Sequence, residues 1–92
     1  MRVIRYNKID DGGKKLATFS VSISNLNMTI ANLAIIQSAN GGYFINMPTY
    51  KEKSTDNWEK VVVFDGETQK NFIRAAREAI DIYAKQENII IG

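Results

Sequence analysis

The amino-acid sequence predicts an α+β domain in which an antiparallel sheet of about five strands is followed by one long C-terminal helix. In the first two thirds of the chain, apolar residues recur with a period of two and turn-forming residues separate the segments, which is typical of half-buried strands. After residue 65 the apolar period becomes helical. Strands followed by a helix favour an antiparallel sheet with the helix on one face. A chain of 92 residues is expected to form a single domain, residues 1–92.

The first two strands are predicted over residues 3–9 and 14–24, on either side of an Asp-Asp-Gly-Gly turn at residues 10–13. The second strand has the clearer pattern, because small polar residues alternate with Ala17, Phe19, Val21 and Ile23. A third strand starts near Met28. Its apolar parity changes between Ile30 and Leu33, which predicts a bulge near residues 31–32.

Asn40-Gly41 is expected to form a hairpin turn, since Gly supplies the positive φ that such turns need. A fourth strand then covers residues 43–47 and ends at Pro48, which lacks a ladder N–H. The polar residues 49–57 are interpreted as a mobile surface loop. Residues 58–64, rich in β-branched and aromatic side chains, are predicted to be a fifth strand.

Asp65 is the expected N-cap of a helix that runs from Gly66 to about Lys85. Its apolar face spans roughly 200°, about twice what packing on one surface requires. The members of this face are Phe72, Ala75, Ala76, Ala79, Ile80 and Tyr83, widened by Ile73, Ile82 and Ala84. The apolar tail at residues 89–91 is predicted to be a short strand that docks on its own sheet or on a partner. A small core, the wide helix face and this tail together predict a homodimer.

The composition argues against catalysis and against cofactors. The chain has neither Cys nor His, so the readiest nucleophile and the commonest general base are both missing. The spacing of the carboxylates suggests no acid/base pair and no metal site, and no phosphate-loop pattern occurs. We therefore expect no enzyme activity and no cofactor. The sequence shows neither a signal peptide nor a membrane-spanning run, so a cytoplasmic protein without membrane association is expected.

The segment from Asn32 to Lys51 has a hydrophobic strand, an Asn/Gly-rich turn, an aromatic-aliphatic strand and then Met47-Pro48-Thr49-Tyr50-Lys51. This succession resembles the bacterial stage V sporulation protein G (SpoVG) family of septation regulators, and the likeness extends over about residues 3–83. Ala34 departs from the family, which often has a basic residue there, and the acidic tail of the family is missing. The resemblance implies a small homodimeric regulator of septation or sporulation that binds DNA or RNA with limited sequence specificity.

The candidate nucleic-acid contacts are the cations of the loop, the fifth strand and the polar helix stripe, namely Lys51, Lys53, Lys60, Arg74 and Arg77. A pI of about 9.0 permits such binding without requiring it. The alternative is a solvated surface. Lys51 and Lys53 flank Glu52, and the helix arginines have acidic residues four positions later, at Glu78 and Asp81. On that alternative the chain is a protein-interaction module without nucleic acid, which uses a sheet edge or the helix face.

Overall fold

The computed structural model describes residues 1–10, 12–51, 58–60 and 65–91, and for residues 49–51 and 58–60 it describes the backbone only. Four antiparallel strands form the main sheet in their sequence order: β1 (Arg2–Lys8), β2 (Lys15–Ile23), β3 (Met28–Gln37) and β4 (Tyr43–Asn46). A two-stranded sheet follows, with β5 (Thr49–Lys51) antiparallel to β6 (Trp58–Lys60). Helix α1 (Gly66–Glu87) comes last. The predicted α+β class, an antiparallel sheet followed by one C-terminal helix, is confirmed.

The division of strands between sheets corrects the prediction of one five-stranded sheet. The segment expected to be a loop begins with β5, and β6 pairs with β5 instead of extending the main sheet. Pro48 explains the break, because a residue without an N–H cannot continue the β4 ladder. The chain then starts a separate hairpin. Residues 52–57 of the predicted loop and 61–64 of the predicted fifth strand lie outside the described residues.

One face of the main sheet and one side of the helix form the core. The largest fully buried side chains are Val21, Phe19, Leu33 and Ile35 from the sheet and Ile80 from the helix. Alanines at positions 76, 79 and 84 are buried on the same side of α1, and small side chains there let the helix axis approach the strands closely. Ile82, predicted to widen the apolar face, is instead 58% exposed.

A bulge in β3 explains why the apolar residues of this strand change parity along its sequence. Phe19 pairs with Leu33 but Val21 pairs with Ile30, so two residues of β3 face Ser20 alone. One of them, Asn32, has φ 62°, a left-handed conformation that Asn tolerates better than most residues. The extra residue brings both Ile30 and Leu33 into the core. The predicted bulge at residues 31–32 is confirmed.

Both ends of α1 are capped, the first by the Asp65 side chain and the second by the left-handed backbone of Asn88. The Oδ1 atom of Asp65 accepts a hydrogen bond from the Thr68 N–H at 2.9 Å, and this bond holds the pKa of the Asp65 carboxyl below its usual value. Asn88 ends the helix at φ 59°, and the N–H of Ile89 donates back to the Ala84 carbonyl at 2.8 Å. The turn directs Ile91 onto the core as a partly buried contact while Ile90 remains 94% exposed. The predicted C-terminal strand is wrong, since residues 88–91 have no strand structure.

The β3–β4 hairpin turn generates a stability prediction. Gly41 has φ +93°, and a Cβ placed on it would meet no heavy atom within 4 Å. The cost of a side chain there is therefore backbone strain without a steric clash. Gly41→Ala should lower the free energy of unfolding by about 1–2 kcal/mol, measured by urea denaturation.

Gly42→Ala is the matched control. Its Cβ would lie 3.7 Å from the Asn40 Oδ1, an ordinary contact, and its φ is not positive. The control should unfold close to wild type. Equal midpoints for both variants would contradict the role assigned to Gly41.

Candidate nucleic-acid interface

The helical repeat collects three cations into one stripe along α1. Lys70, Arg74 and Arg77 are spaced by four and three residues, so they lie on one side of the helix, and all three are exposed. Asp81 continues the same stripe by four more residues. We call Lys70, Arg74 and Arg77 the helix stripe.

The N-terminal half of the helix stripe borders a shallow groove. The groove has a volume of about 520 Å³, and the described residues that line it are Gly66, Gln69, Lys70, Ile73 and Arg74. Two cations and a side-chain amide thus surround one half-buried apolar residue. Ammonium and guanidinium groups in such a rim are suited to phosphate oxygens, which accept their hydrogen bonds.

Arg77 differs from Arg74 because it also holds the fold together. Its Nη1 atom donates to the Tyr43 carbonyl at 3.0 Å, and its guanidinium carbon lies 4.5 Å from the centroid of the Tyr43 ring. This cation–π contact and hydrogen bond link the middle of α1 to the first residue of β4. Arg77 keeps further N–H donors for a ligand, but replacing it would disturb the fold as well.

Asp81 completes this cluster from the next turn of the helix. The Tyr43 hydroxyl donates a hydrogen bond to Asp81 Oδ1. Arg77 and Asp81 are spaced for an i,i+4 contact along the helix, and in the fold both of them contact Tyr43. Burial, and then the hydrogen bond to Asp81, raise the pKa of Tyr43 to about 12. This cluster could not be predicted from local spacing, because Tyr43 is 34 residues from Arg77 and 38 residues from Asp81 along the chain.

Two of the remaining candidate cations, Lys51 and Lys60, belong to β5 and β6. The register pairs Lys51 with Trp58 and Thr49 with Lys60, so the backbones of Lys51 and Lys60 are diagonal neighbours in one ladder. Lys53 lies outside the described residues. Of the five predicted contacts, the structure brings Arg74 and Arg77 into one stripe and Lys51 and Lys60 into one ladder.

A second surface, which was not predicted from the sequence, lies at the β1 edge of the sheet, opposite the β4 edge. A concavity of about 520 Å³ lies between the edge strand β1 and the C-terminal half of α1. Its lining includes three exposed apolar side chains, Met1, Ile4 and Ile82. Ile4 is exposed because the β1–β2 register shifts between Val3 and Arg5. We call this concavity the β1 groove.

Comparison with known proteins leaves the family open. A scan against models of known protein families finds no match. A search of curated protein sequences finds no similar protein either. Within the described part of the chain, no helix is long and apolar enough to cross a membrane. In that same part, no three Asp or Glu residues come close enough together to hold a metal ion.

The Tyr43 cluster predicts a loss of stability at alkaline pH. A tyrosine that ionises near 10 in the unfolded chain and at about 12 in the fold stabilises the protein fully below pH 10. This contribution is lost as the pH rises through 12. Unfolding free energy, measured by urea titration between pH 9 and 12, should therefore fall with pH less steeply in Tyr43→Phe than in wild type.

Tyr6→Phe serves as the comparison variant, because burial and the neighbouring Tyr83 also raise the pKa of Tyr6. It should keep the part of the pH dependence that comes from Tyr43. An identical pH dependence in Tyr43→Phe and wild type would show that burial and the Asp81 contact do not raise the pKa of Tyr43 in the folded protein.

Proposed function

We propose that this protein is a small homodimeric cytoplasmic regulator that binds DNA or RNA with limited sequence specificity, of the SpoVG type that acts in septation or sporulation. The observation that carries the proposal is the line of three exposed cations on α1, two of which border one groove. The sequence resemblance over residues 3–83 supplies the regulatory context. Binding without catalysis fits a chain that lacks Cys and His.

The chemistry of the helix stripe supports phosphate contacts. Cations that lie in line can neutralise successive phosphates, which contributes affinity and carries no sequence information. The hairpin lysines Lys51, Lys53 and Lys60 are proposed to add to this surface. Limited sequence specificity follows, because specificity requires base-edge contacts that long exposed cations alone do not fix.

The β1 groove supports the homodimer. Monomeric proteins rarely leave contiguous large apolar groups exposed, and the groove gathers Met1, Ile4 and Ile82 beside an edge strand. A second copy of the chain would cover these side chains and extend the modest core of a chain of this size. Because β1 and β4 are opposite edges of the sheet, a dimer formed there leaves Arg77 beside β4 uncovered.

Nucleic-acid binding is tested by its dependence on salt. The affinity for mixed-sequence duplex DNA and duplex RNA should fall with log salt, at a slope of about −0.9 per phosphate contact on DNA. Lys51→Ala with Lys53→Ala should make this slope shallower. Lys70→Ala with Arg74→Ala should do the same, and it leaves the Arg77 contacts to Tyr43 intact. Binding is measured by gel shift and fluorescence anisotropy.

The control is Lys8→Ala with Lys14→Ala, which removes the same charge from exposed positions outside the helix stripe and the hairpin. It should retain more of the wild-type slope than either double variant. A wild-type protein that shows no shift at about 50 mM salt, where electrostatic binding is strong, would rule out the proposal and leave the protein-interaction module as the better interpretation.

The homodimer has its own test in light scattering coupled to size exclusion. Wild type should have twice the mass of one chain at tens of micromolar. Ile82→Arg should shift the mass toward the monomer, since it places a charge in the β1 groove. Leu26→Arg is the matched control, because Leu26 is 63% exposed and does not line the groove. A monomeric wild type would disprove the proposed dimer.

A further inference from the structure

The four strands of the main sheet carry no carboxylate. All ten Asp and Glu residues lie outside β1–β4, whereas these strands hold four cations, Arg2, Arg5, Lys8 and Lys15. The remainder of the chain has eight cations against ten carboxylates. The charges of the protein are therefore unevenly distributed. The strands of the main sheet are positively charged, and the rest of the chain has a small negative excess.

The face of the sheet away from the core is polar and partly exposed. The strand register aligns Asn7, Thr18, Ala34 and Asn46 in one row across all four strands. In the neighbouring row, Ile36 pairs with Phe44, whose side chain is 44% exposed. On β1, Arg5 pairs with Ser20. We call this surface the outer face.

The outer face contains a concavity over its smallest residue. Ala34 has the shortest side chain in its row, and the space above it has a volume of about 250 Å³. The floor is apolar, with Ala34, Ile36 and Met47. The rim is polar and carries a single cation, its members being Lys15, Thr18, Asn32 and Asn46. Asn32 reaches this rim because the β3 bulge sets its backbone in the left-handed conformation.

We propose that the outer face binds single-stranded nucleic acid, with one base in the concavity over Ala34 and another stacked on Phe44. This inference rests on the proposed function and names a second surface for it, separate from the helix stripe. The charge of the outer face indicates which kind of ligand it binds. A face with Arg5 and Lys15 and no carboxylate on its strands is complementary to a polyanion.

The side chains of the outer face correspond to the parts of a nucleotide. The exposed ring of Phe44 offers a stacking surface that any base can use. The amides of Asn32 and Asn46 have both donors and acceptors, as base edges do. Lys15 and Arg5 supply charge for the backbone phosphates. A duplex presents neither base faces nor Watson–Crick edges, so this surface selects an unpaired strand.

The experiment measures fluorescence anisotropy of a short labelled mixed-sequence oligonucleotide, as single-stranded DNA and single-stranded RNA, and of the same sequence as duplex. Phe44→Ala should weaken single-strand binding about five- to 150-fold, the range for loss of one base–aromatic stack. Ala34→Leu should weaken it by filling the concavity without changing charge. Arg5→Gln should make the single-strand salt slope shallower by about 0.7. Duplex affinity should stay within about twofold of wild type for Phe44→Ala and Ala34→Leu.

Matched controls separate the outer face from general surface effects. Leu26→Ala removes another exposed apolar side chain, one that does not line the concavity, and Lys85→Gln removes one exposed charge from α1. Both should bind single strands as wild type does. Thermal melts establish that each variant is folded. Phe44→Ala alters an exposed residue, so the test does not depend on whether Ala34→Leu folds.

The outcomes distinguish this inference from the proposed function. If wild type binds duplex while Phe44→Ala and Ala34→Leu bind single strands as tightly as wild type does, the outer face is not the site and the proposed function stands. If Phe44→Ala weakens single-strand and duplex binding equally, selection of unpaired bases is wrong. If wild type binds neither form, the inference fails together with the proposed function.

Discussion

The structure depends on the packing of a single helix against one face of a four-stranded sheet. Buried alanines at positions 76 and 79 allow close approach, and Phe72 and Ile80 fill the space between helix and strands. Side-chain contacts then fix the helix at both edges of the sheet. The Tyr83 ring packs against the Tyr6 ring of β1 in a tilted arrangement, with ring centroids 5.9 Å apart, and Arg77 contacts Tyr43 of β4. Among the described residues, α1 packs on one face of the sheet, and Phe44 is exposed on the other.

Local chemistry in the sequence was sufficient to predict the features that depend on neighbouring residues. The Asp65 cap, the positive φ of Gly41 and the bulge at residues 31–32 all follow from residue type and short-range pattern, and the structure confirms them. Pairing partners were harder to predict, because a ladder joins residues that are distant along the chain. The β5–β6 hairpin was therefore assigned to a loop and to a strand of the main sheet. Helical periodicity also predicted too wide a buried face for α1, since Ile82 is exposed. The period of a helix shows which residues share a face, but it does not show how much of that face the sheet covers.

The contacts of the candidate site were also hard to predict, because they join residues that are distant along the chain. Sequence spacing placed Arg74 and Arg77 on one stripe and gave each an acidic residue four positions later, so the two arginines looked equivalent. In the fold the two arginines are not equivalent, because Tyr43 captures Arg77 and Asp81 together. A guanidinium has five N–H donors in a planar fork, so one face of Arg77 can stack on tyrosine while other donors point to solvent. Arg74 borders the groove. Its replacement therefore tests ligand binding more directly than replacement of Arg77, which would also disturb the contacts to Tyr43.

The positions of the three surfaces make the proposals mutually compatible. The β1 groove lies at one edge of the sheet and the Arg77–Tyr43 cluster at the other, three strand spacings or roughly 14 Å away. The outer face is on the side opposite α1. A dimer joined through the β1 groove would therefore bury apolar groups from two copies while their helix stripes stayed in solvent. If the helix stripes bind phosphates as proposed, two of them would double the number of contacts available to one duplex, and linked contacts bind far more tightly than separate ones. The fold permits this arrangement because the β1 groove and Arg77 of the helix stripe lie at opposite edges of the sheet.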